Sequence, residues 1–497
     1  MKSIFRATAV LSGSSMVTIL LGLVSAKVMA TVLQPAGYGY YGLLQSFVTL
    51  AAMVTGVGMA SGLVRMGAGA VARGDNMTIA GLRRGAWLLF GGLGAVALAL
   101  LAAFRVTVSR WTLGSGDHSK TILLMGIALL FTVALNVQTG TLNAYHRVPA
   151  LAKYAVANAV LGAAVSITCV LTWSVRGIVP AVIGGAIASW AASGYFLHRE
   201  VGRVQVRPPW SDILKAAWSL LRFGGPFTAS MVIGTGVQLI LPMVVLHLLS
   251  PESVGYYKAA AAISVGYLGF LVTAMSQDYY PRVSAVKDQP QALIGLINEQ
   301  HRLIMLLAAP VILGTLALVP YLVPLVFSHR FTPTVEILEW QLIGDLFKFS
   351  SWTMAYAILA RCGSSVYFLT ESIGGFATIV TTWLAVHWFG LPGLGISFLL
   401  TYIIYYLAVW VIIRRELPLK WTAANKKMLS AAVAAALAIR VVSYTPLAHF
   451  RTPLALGLAA IFGGWSLTVL WGEYINRSGT RRSKGFFVKG ESTPVTP

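Results

Sequence analysis

What constrains this chain most is a row of long apolar runs, near 7–33, 40–63, 85–104, 121–144, 150–173, 177–198, 223–248, 256–277, 303–327, 338–360, 366–388, 391–413, 428–445 and 454–472. A bilayer crossing takes about 20 apolar residues in helical form. Helix is the natural element, because backbone N–H and C=O groups in hydrocarbon must pair within their own segment. A membrane barrel would instead show strands of about ten residues alternating in character, and no long stretch alternates. Composition agrees: 57% of residues are hydrophobic and only 10% charged, where a soluble domain carries about 25% charged. The expected fold class is therefore an all-α polytopic membrane protein with about 14 transmembrane helices. The first run is too long for a removable signal peptide and is read as a retained helix.

The net charge of +22 would suit nucleic acid, but the Lys and Arg residues gather between the runs, so no nucleic-acid partner is expected. With both termini placed in the cytoplasm, 27 of the 37 basic residues fall on the cytoplasmic side and eight outside. That asymmetry is what the positive-inside rule requires, and adding or removing one helix would invert every later loop. The longest connections, around 64–84, 199–222 and 278–302, are read as loops, and 105–120 as the longest one outside. No extramembrane domain is expected, and the bilayer is the first partner.

An internal repeat organises the helices. Leu33-Gln34-Pro35-Ala36-Gly37-Tyr38-Gly39-Tyr40-Tyr41 matches Leu249-Ser250-Pro251-Glu252-Ser253-Val254-Gly255-Tyr256-Tyr257 in Leu, Pro, Gly, Tyr and Tyr at a constant offset. Two six-helix lobes in parallel repeat follow, an arrangement that alternating-access transporters use. The domains expected are an N-lobe over 1–200, a cytoplasmic linker over 201–222, a C-lobe over 223–415, a helix pair over 416–475 and a disordered cytoplasmic tail over 476–497.

Enzyme signatures are missing. No phosphate-binding loop ends in Gly-Lys-Ser/Thr, and neither His-Glu-x-x-His nor Gly-x-Ser-x-Gly occurs. Cys169 and Cys362 form no pattern. No catalytic residue, metal site or cofactor is expected; an H+ or Na+ coupling ion is left open. Chemistry then rests on polar groups inside the spans, where an ionisable side chain costs about 2.5–3.5 kcal/mol and is a functional hypothesis by default. Lys27 either faces a central cavity, ready for a phosphate, or snorkels to the interface. Gln341, Asp345, Lys348, Trp352 and Tyr356 are spaced at 4, 3, 4 and 4 residues, which puts them on one helix face. Asp345 and Lys348 can neutralise each other. The stripe either lines a water-filled cavity, its rings stacking on sugars, or holds a structural ion pair. Asp278, after Gln277, faces Arg282; Glu299, His301 and Arg302 open the next helix. These are solvated charge or an inner gate. Glu371 either pairs with Arg361 or carries a proton or substrate role. Arg65 is a substrate contact or a topology anchor. Asn136, Gln138, Asn143 and Asn158 are candidates for lining the first lobe, or for bridging helices.

Taken with these residues, the chain resembles the polysaccharide-transporter branch of the multidrug/oligosaccharidyl-lipid/polysaccharide exporter superfamily. Pro35-Ala36-Gly37-Tyr38-Gly39 is similar to that branch's Gly-Pro-x-x-Tyr-Gly turn, with Gln34 in place of the first Gly. Arg330-Phe331-Thr332 and Trp340-Gln341-Leu342-Ile343-Gly344-Asp345-Leu346-Phe347-Lys348 resemble the Wzx-type O-antigen and enterobacterial common antigen lipid-linked oligosaccharide flippases. The resemblance implies a bacterial inner-membrane flippase of lipopolysaccharide-type synthesis. Its substrate would be an undecaprenyl-diphosphate-linked oligosaccharide, moved from the cytoplasmic to the periplasmic leaflet. It also implies polymerase and chain-length-regulator partners, a cavity cation at Lys27, and family positions at Asp345 and Lys348. The lipid II flippases carry an Arg-Asp pair where this chain has Ser25-Ala26-Lys27-Val28, which speaks against a peptidoglycan role. Two alternatives stand beside this reading: an ion-coupled drug/cation antiporter of the same fold, and an O-antigen polymerase or ligase.

Overall fold

The computed structural model describes residues 2–202, 206–274, 278–446 and 450–486; these are almost entirely helical, with no strand among them. Arg203, Gln277 and the tail beyond Phe486 lie outside the described residues. The first half runs through α1 (Lys2–Gly56), α2 (Met59–Ala72), α3 (Asn76–Ala103), α4 (Arg105–Leu113), α5 (Ser119–Ala144), α6 (Val148–Trp173), α7 (Ile178–Val201) and α8 (Trp210–Leu248). The second half holds α9 (Pro251–Ala274), α10 (Tyr280–Ala285), α11 (Pro290–Val326), α12 (Thr334–Arg361), α13 (Ser364–Phe389), α14 (Gly393–Glu416), α15 (Ala423–Val442) and α16 (Arg451–Phe486). Inside α1, Gln34 leaves the helical region (φ 62°, ψ 176°) and Pro35 follows, so α1 is two membrane-length helices joined at a break. Counting its halves separately, each of the fourteen expected helices has a counterpart among α1, α3, α5–α9 and α11–α16. Among the described residues, eight continuous stretches are long and apolar enough to cross a membrane. Two of them, 17–56 and 149–201, each contain two such helices. Trp111, Phe376, Trp388 and Trp471 stand fully exposed, as suits side chains turned to lipid or its interface.

The segments read as long loops are mostly helix. The first shrinks to Arg73-Gly74-Asp75, because α2 fills its start and α3 begins at Asn76. Asp75 caps α3, accepting from the Thr78 backbone N–H at 2.9 Å and the Thr78 hydroxyl at 2.6 Å. The segments 199–222 and 278–302 are taken up largely by the starts of α8 and α11 and by α10, and 105–120 contains α4. Charged, amphipathic turns extend the apolar helices beyond hydrocarbon, and hydropathy alone reads them as loop.

The helix expected at 40–63 is interrupted. Val57 (φ 40°) and Gly58 (φ 61°) both turn left-handed before α2 begins. The cause is a close crossing: a Cβ on Gly224 would lie 1.9 Å from the Val57 carbonyl oxygen, and one on Gly58 would lie 2.9 Å from Gly224 Cα. Only glycine fits there.

The repeated turns meet each other. Pro35 and Pro251 each open a helical segment, a position where the missing N–H costs nothing. One turn further on, a Cβ on Gly39 would lie 2.5 Å from Pro251 O, and a Cβ on Gly255 would lie 2.0 Å from Pro35 O. The contact is reciprocal, backbone on backbone. Tyr38 and Tyr256 both set an edge against Phe331, at 5.7 and 6.1 Å between ring centroids.

By internal contacts the chain falls into two compact units. The first holds residues 1–267, 320–340 and 365–404; its core includes Met59, Leu63, Leu82, Leu129, Val133 and Leu220. The second holds 268–319, 341–364 and 405–497, with Leu306, Leu313, Leu346 and Phe349 buried in it. There Asn298 of α11 accepts from Thr422 N and Asn425 Nδ2, both at 3.0 Å, and Asn425 Nδ2 also donates to Asn298 O. These bonds tie the start of α15 to α11.

Candidate functional site

The α12 stripe sits in the second unit. Residues spaced three and four apart on a helix share a face, and the five side chains grade along it from dry to partly open. Gln341 and Asp345 are buried completely, whereas Lys348, Trp352 and Tyr356 are half-buried. Exposure along the stripe is thus confined to its second half. Lys348 Nζ lies 3.5 Å from Asp345 Oδ1 and 5.1 Å from the centre of the Trp352 ring. A cation held between a carboxylate and a ring face has its charge offset on two sides. Beyond it, Tyr356 packs against Tyr279 and Tyr280, and the Tyr279 hydroxyl donates to Thr353 O at 2.7 Å. Gln341 Oε1 is buried with no hydrogen-bond partner among the described residues.

Lys27 belongs to the first unit. Its Nζ donates to Pro324 O at 3.1 Å and Leu325 O at 2.8 Å, and Thr31 Oγ1 reaches Phe327 O at 3.4 Å. Those carbonyls end α11, where the last turn has no intrahelical donors and carries the negative end of the helix dipole. Lys27 is therefore a cation capping a helix C-terminus.

The other expected residues sort as follows. Arg282 bridges Asp278 at 3.4 Å and Glu299 at 3.7 Å, all three well exposed, and such pairs contribute little to stability. Arg302 is exposed, but His301 is not solvated charge: it is buried, 3.1 Å from Ser350 Oγ, with its ring 4.3 Å from that of Trp421. The Arg361 guanidinium donates to Lys287 O at 2.7 Å. Arg65 is exposed, its guanidinium 4.8 Å from the Phe223 ring centre, and Glu371 is half-buried.

Lys258 falls at the start of the apolar run near 256–277. It lies two turns into α9, donates to the buried Ser46 hydroxyl at 2.7 Å, and lays its alkyl chain over Gly42, whose Cβ would come within 2.9 Å of it. A signal existed: the repeat offset that pairs Gly39 with Gly255 also pairs Gly42 with Lys258, a glycine making room for its counterpart. Arg440, near the end of α15, is buried with its guanidinium over the Tyr444 ring. Glu339, one position before Trp340, is a further buried carboxylate.

The family model for polysaccharide biosynthesis protein matches residues 28–336. The chain belongs to this family. Among its relatives are the lipid III flippases of Escherichia coli (strain K12) and Shigella flexneri, each 22% identical over 419 residues, covering 81% of this chain and 96% of theirs. Its fold is similar to that of the lipid II flippase MurJ in an inward closed conformation (TM-score 0.72, 14% identity, 94% of this chain and 99% of that one). It is also similar to an inward-facing multidrug resistance MATE family transporter of the MOP superfamily (TM-score 0.63, 16% identity, 84% and 99%). The family member described here is thus a multi-pass membrane protein with a MurJ- and MATE-like fold, and these relatives are flippases and transporters.

Proposed function

We propose that this protein is a flippase for a lipid-linked oligosaccharide, carrying an undecaprenyl-diphosphate-linked glycan from the cytoplasmic to the periplasmic leaflet of a bacterial inner membrane. The observation that carries the reading is the length-spanning similarity to lipid III flippases. Lys348 suits the role, being a cation that keeps partial exposure beside the Trp352 ring. In this mechanism Lys348 meets the diphosphate while Asp345 holds it in place, and Trp352 and Tyr356 meet sugar faces; Lys27, now on the α11 carbonyls, is a further cation that an anionic head group can recruit. The prenyl chain stays in lipid, and lobes at 1–200 and 223–415 alternate access. Lacking a nucleotide-binding motif, transport draws on an H+ or Na+ gradient, the membrane potential or consumption of the product. Polymerase and chain-length-regulator membrane proteins act on that product.

The test is complementation of bacteria deleted for their own lipid III or O-antigen flippase, scoring surface glycan and accumulated lipid-linked precursor. Wild type restores glycan in at least one background, and Lys27→Ala and the paired Asp345→Asn with Lys348→Met accumulate precursor despite normal membrane levels. Failure of wild type across all backgrounds, with protein present, sinks the reading and favours the antiporter.

A further inference from the structure

The first unit contains a cavity of about 470 Å³ between α1, α5, α6 and α7. Nine of its nineteen lining residues are Ser, Thr, Tyr, Asn or Gln, and none is charged. In a chain of net charge +22 that combination selects a ligand class. A diphosphate would find no cation, a cationic drug no carboxylate, and a prenyl chain too many polar groups.

The hydrogen bonds sharpen the selection. Thr49 and Thr132 spend their hydroxyl protons on carbonyls of their own helices, Gln45 O at 2.8 Å and Ala128 O at 2.7 Å. The Ser189 hydroxyl points to Asn158 Oδ1 at 2.5 Å and Gly185 O at 2.7 Å, and Gln45 Nε2 donates to the Tyr41 hydroxyl at 2.6 Å. A hydroxyl whose proton is committed still offers lone pairs. The lining thus presents acceptors at these hydroxyls beside the amide donors of Asn158 and Gln45, and its complement is an uncharged molecule with both donors and acceptors, as a hydroxyl-bearing ring has. Space is provided by glycine: a Cβ on Gly22, Gly162 or Gly185 would meet no atom within 4 Å, so these positions open onto the cavity instead of packing.

We infer that this cavity is a glycan subsite, which takes an uncharged sugar ring of the lipid-linked substrate while the diphosphate is held elsewhere. The inference rests on the flippase reading and adds to it where the sugar is recognised and that the recognised unit is neutral.

The open glycines supply the test, because leucine there fills the cavity without displacing protein. Native mass spectrometry of the purified full-length chain would measure affinity for two probes, undecaprenyl diphosphate alone and undecaprenyl diphosphate carrying one N-acetylglucosamine. Wild type binds the glycosylated probe roughly tenfold more tightly, worth about 1.4 kcal/mol. Gly162→Leu and Gly185→Leu lose that preference and bind the bare lipid as before. Gln45→Met, which removes hydrogen bonding at similar volume, weakens the preference too. Gly92→Leu on α3, also with open space at its Cβ but outside the cavity, behaves as wild type. Filled variants that keep the preference, or a wild type that binds both probes equally, overturn the subsite and leave the flippase reading standing. A wild type that binds neither probe overturns the reading itself and the subsite with it.

Discussion

At the scale of single residues, the molecule turns on how it houses cations. Asp345 is fully buried with Lys348 3.5 Å away, so removing the lysine takes the opposing charge from a carboxylate in a dry interior. Lys348→Ala is expected to destabilise the protein by about 3–5 kcal/mol, read as a fall in unfolding temperature in detergent. Asp345→Asn combined with Lys348→Met should recover most of that stability while transport stays lost. A double variant that transports normally would make the pair purely structural. The pair was legible in the sequence because its spacing is a property of one helix. Lys27 was legible as an intramembrane cation, but its carbonyl partners at Pro324 and Leu325 lie almost 300 positions away, and no local pattern announces such a contact. Lys258 falls inside the apolar run near 256–277, but nothing local to that run announces its partner Ser46, more than 200 positions earlier.

At the scale of elements, apolar length located each membrane helix and polar extension blurred its ends. The start of α3 shows why. Asp75 satisfies two donors from Thr78, so a stretch that reads as basic loop is a capped helix start. The Thr78 hydroxyl, followed by its backbone N–H, holds the Asp75 carboxyl below the usual carboxylate range. A lowered carboxyl favours the folded state when ionised. The cap is therefore complete above the unfolded-state pKa and disappears as pH falls through the lowered folded-state pKa. Asp75→Ala should lower stability near neutrality, and acid titration of stability should bring variant and wild type together. An unchanged gap in acid would assign the loss to something other than the charge. The break at Val57–Gly58 escaped notice for the opposite reason: its cause is the backbone of Gly224, on another helix.

At the scale of the whole molecule, the repeat was the most informative pattern in the sequence. It marked two related helix starts, though not that they touch. Gly39 against Pro251 and Gly255 against Pro35 leave no room for a methyl group on either side. Gly255→Ala should abolish accumulation of folded protein in the membrane, whereas Gly295→Ala, with open space at its Cβ, should accumulate normally. Equal yields of the two would mean that the helix starts can separate freely. The helix count was readable because hydrocarbon thickness fixes helix length, while the break in α1 and the crossing at Gly224 depend on partners far along the chain. The reciprocal contact also has a bearing on descent. Each glycine is confined by the other copy's proline carbonyl, so the two halves cannot diverge at this point one at a time. A lineage that enlarges position 39 or 255 has to remodel the opposite turn in the same step, and the trace of the duplication outlasts similarity elsewhere in the halves.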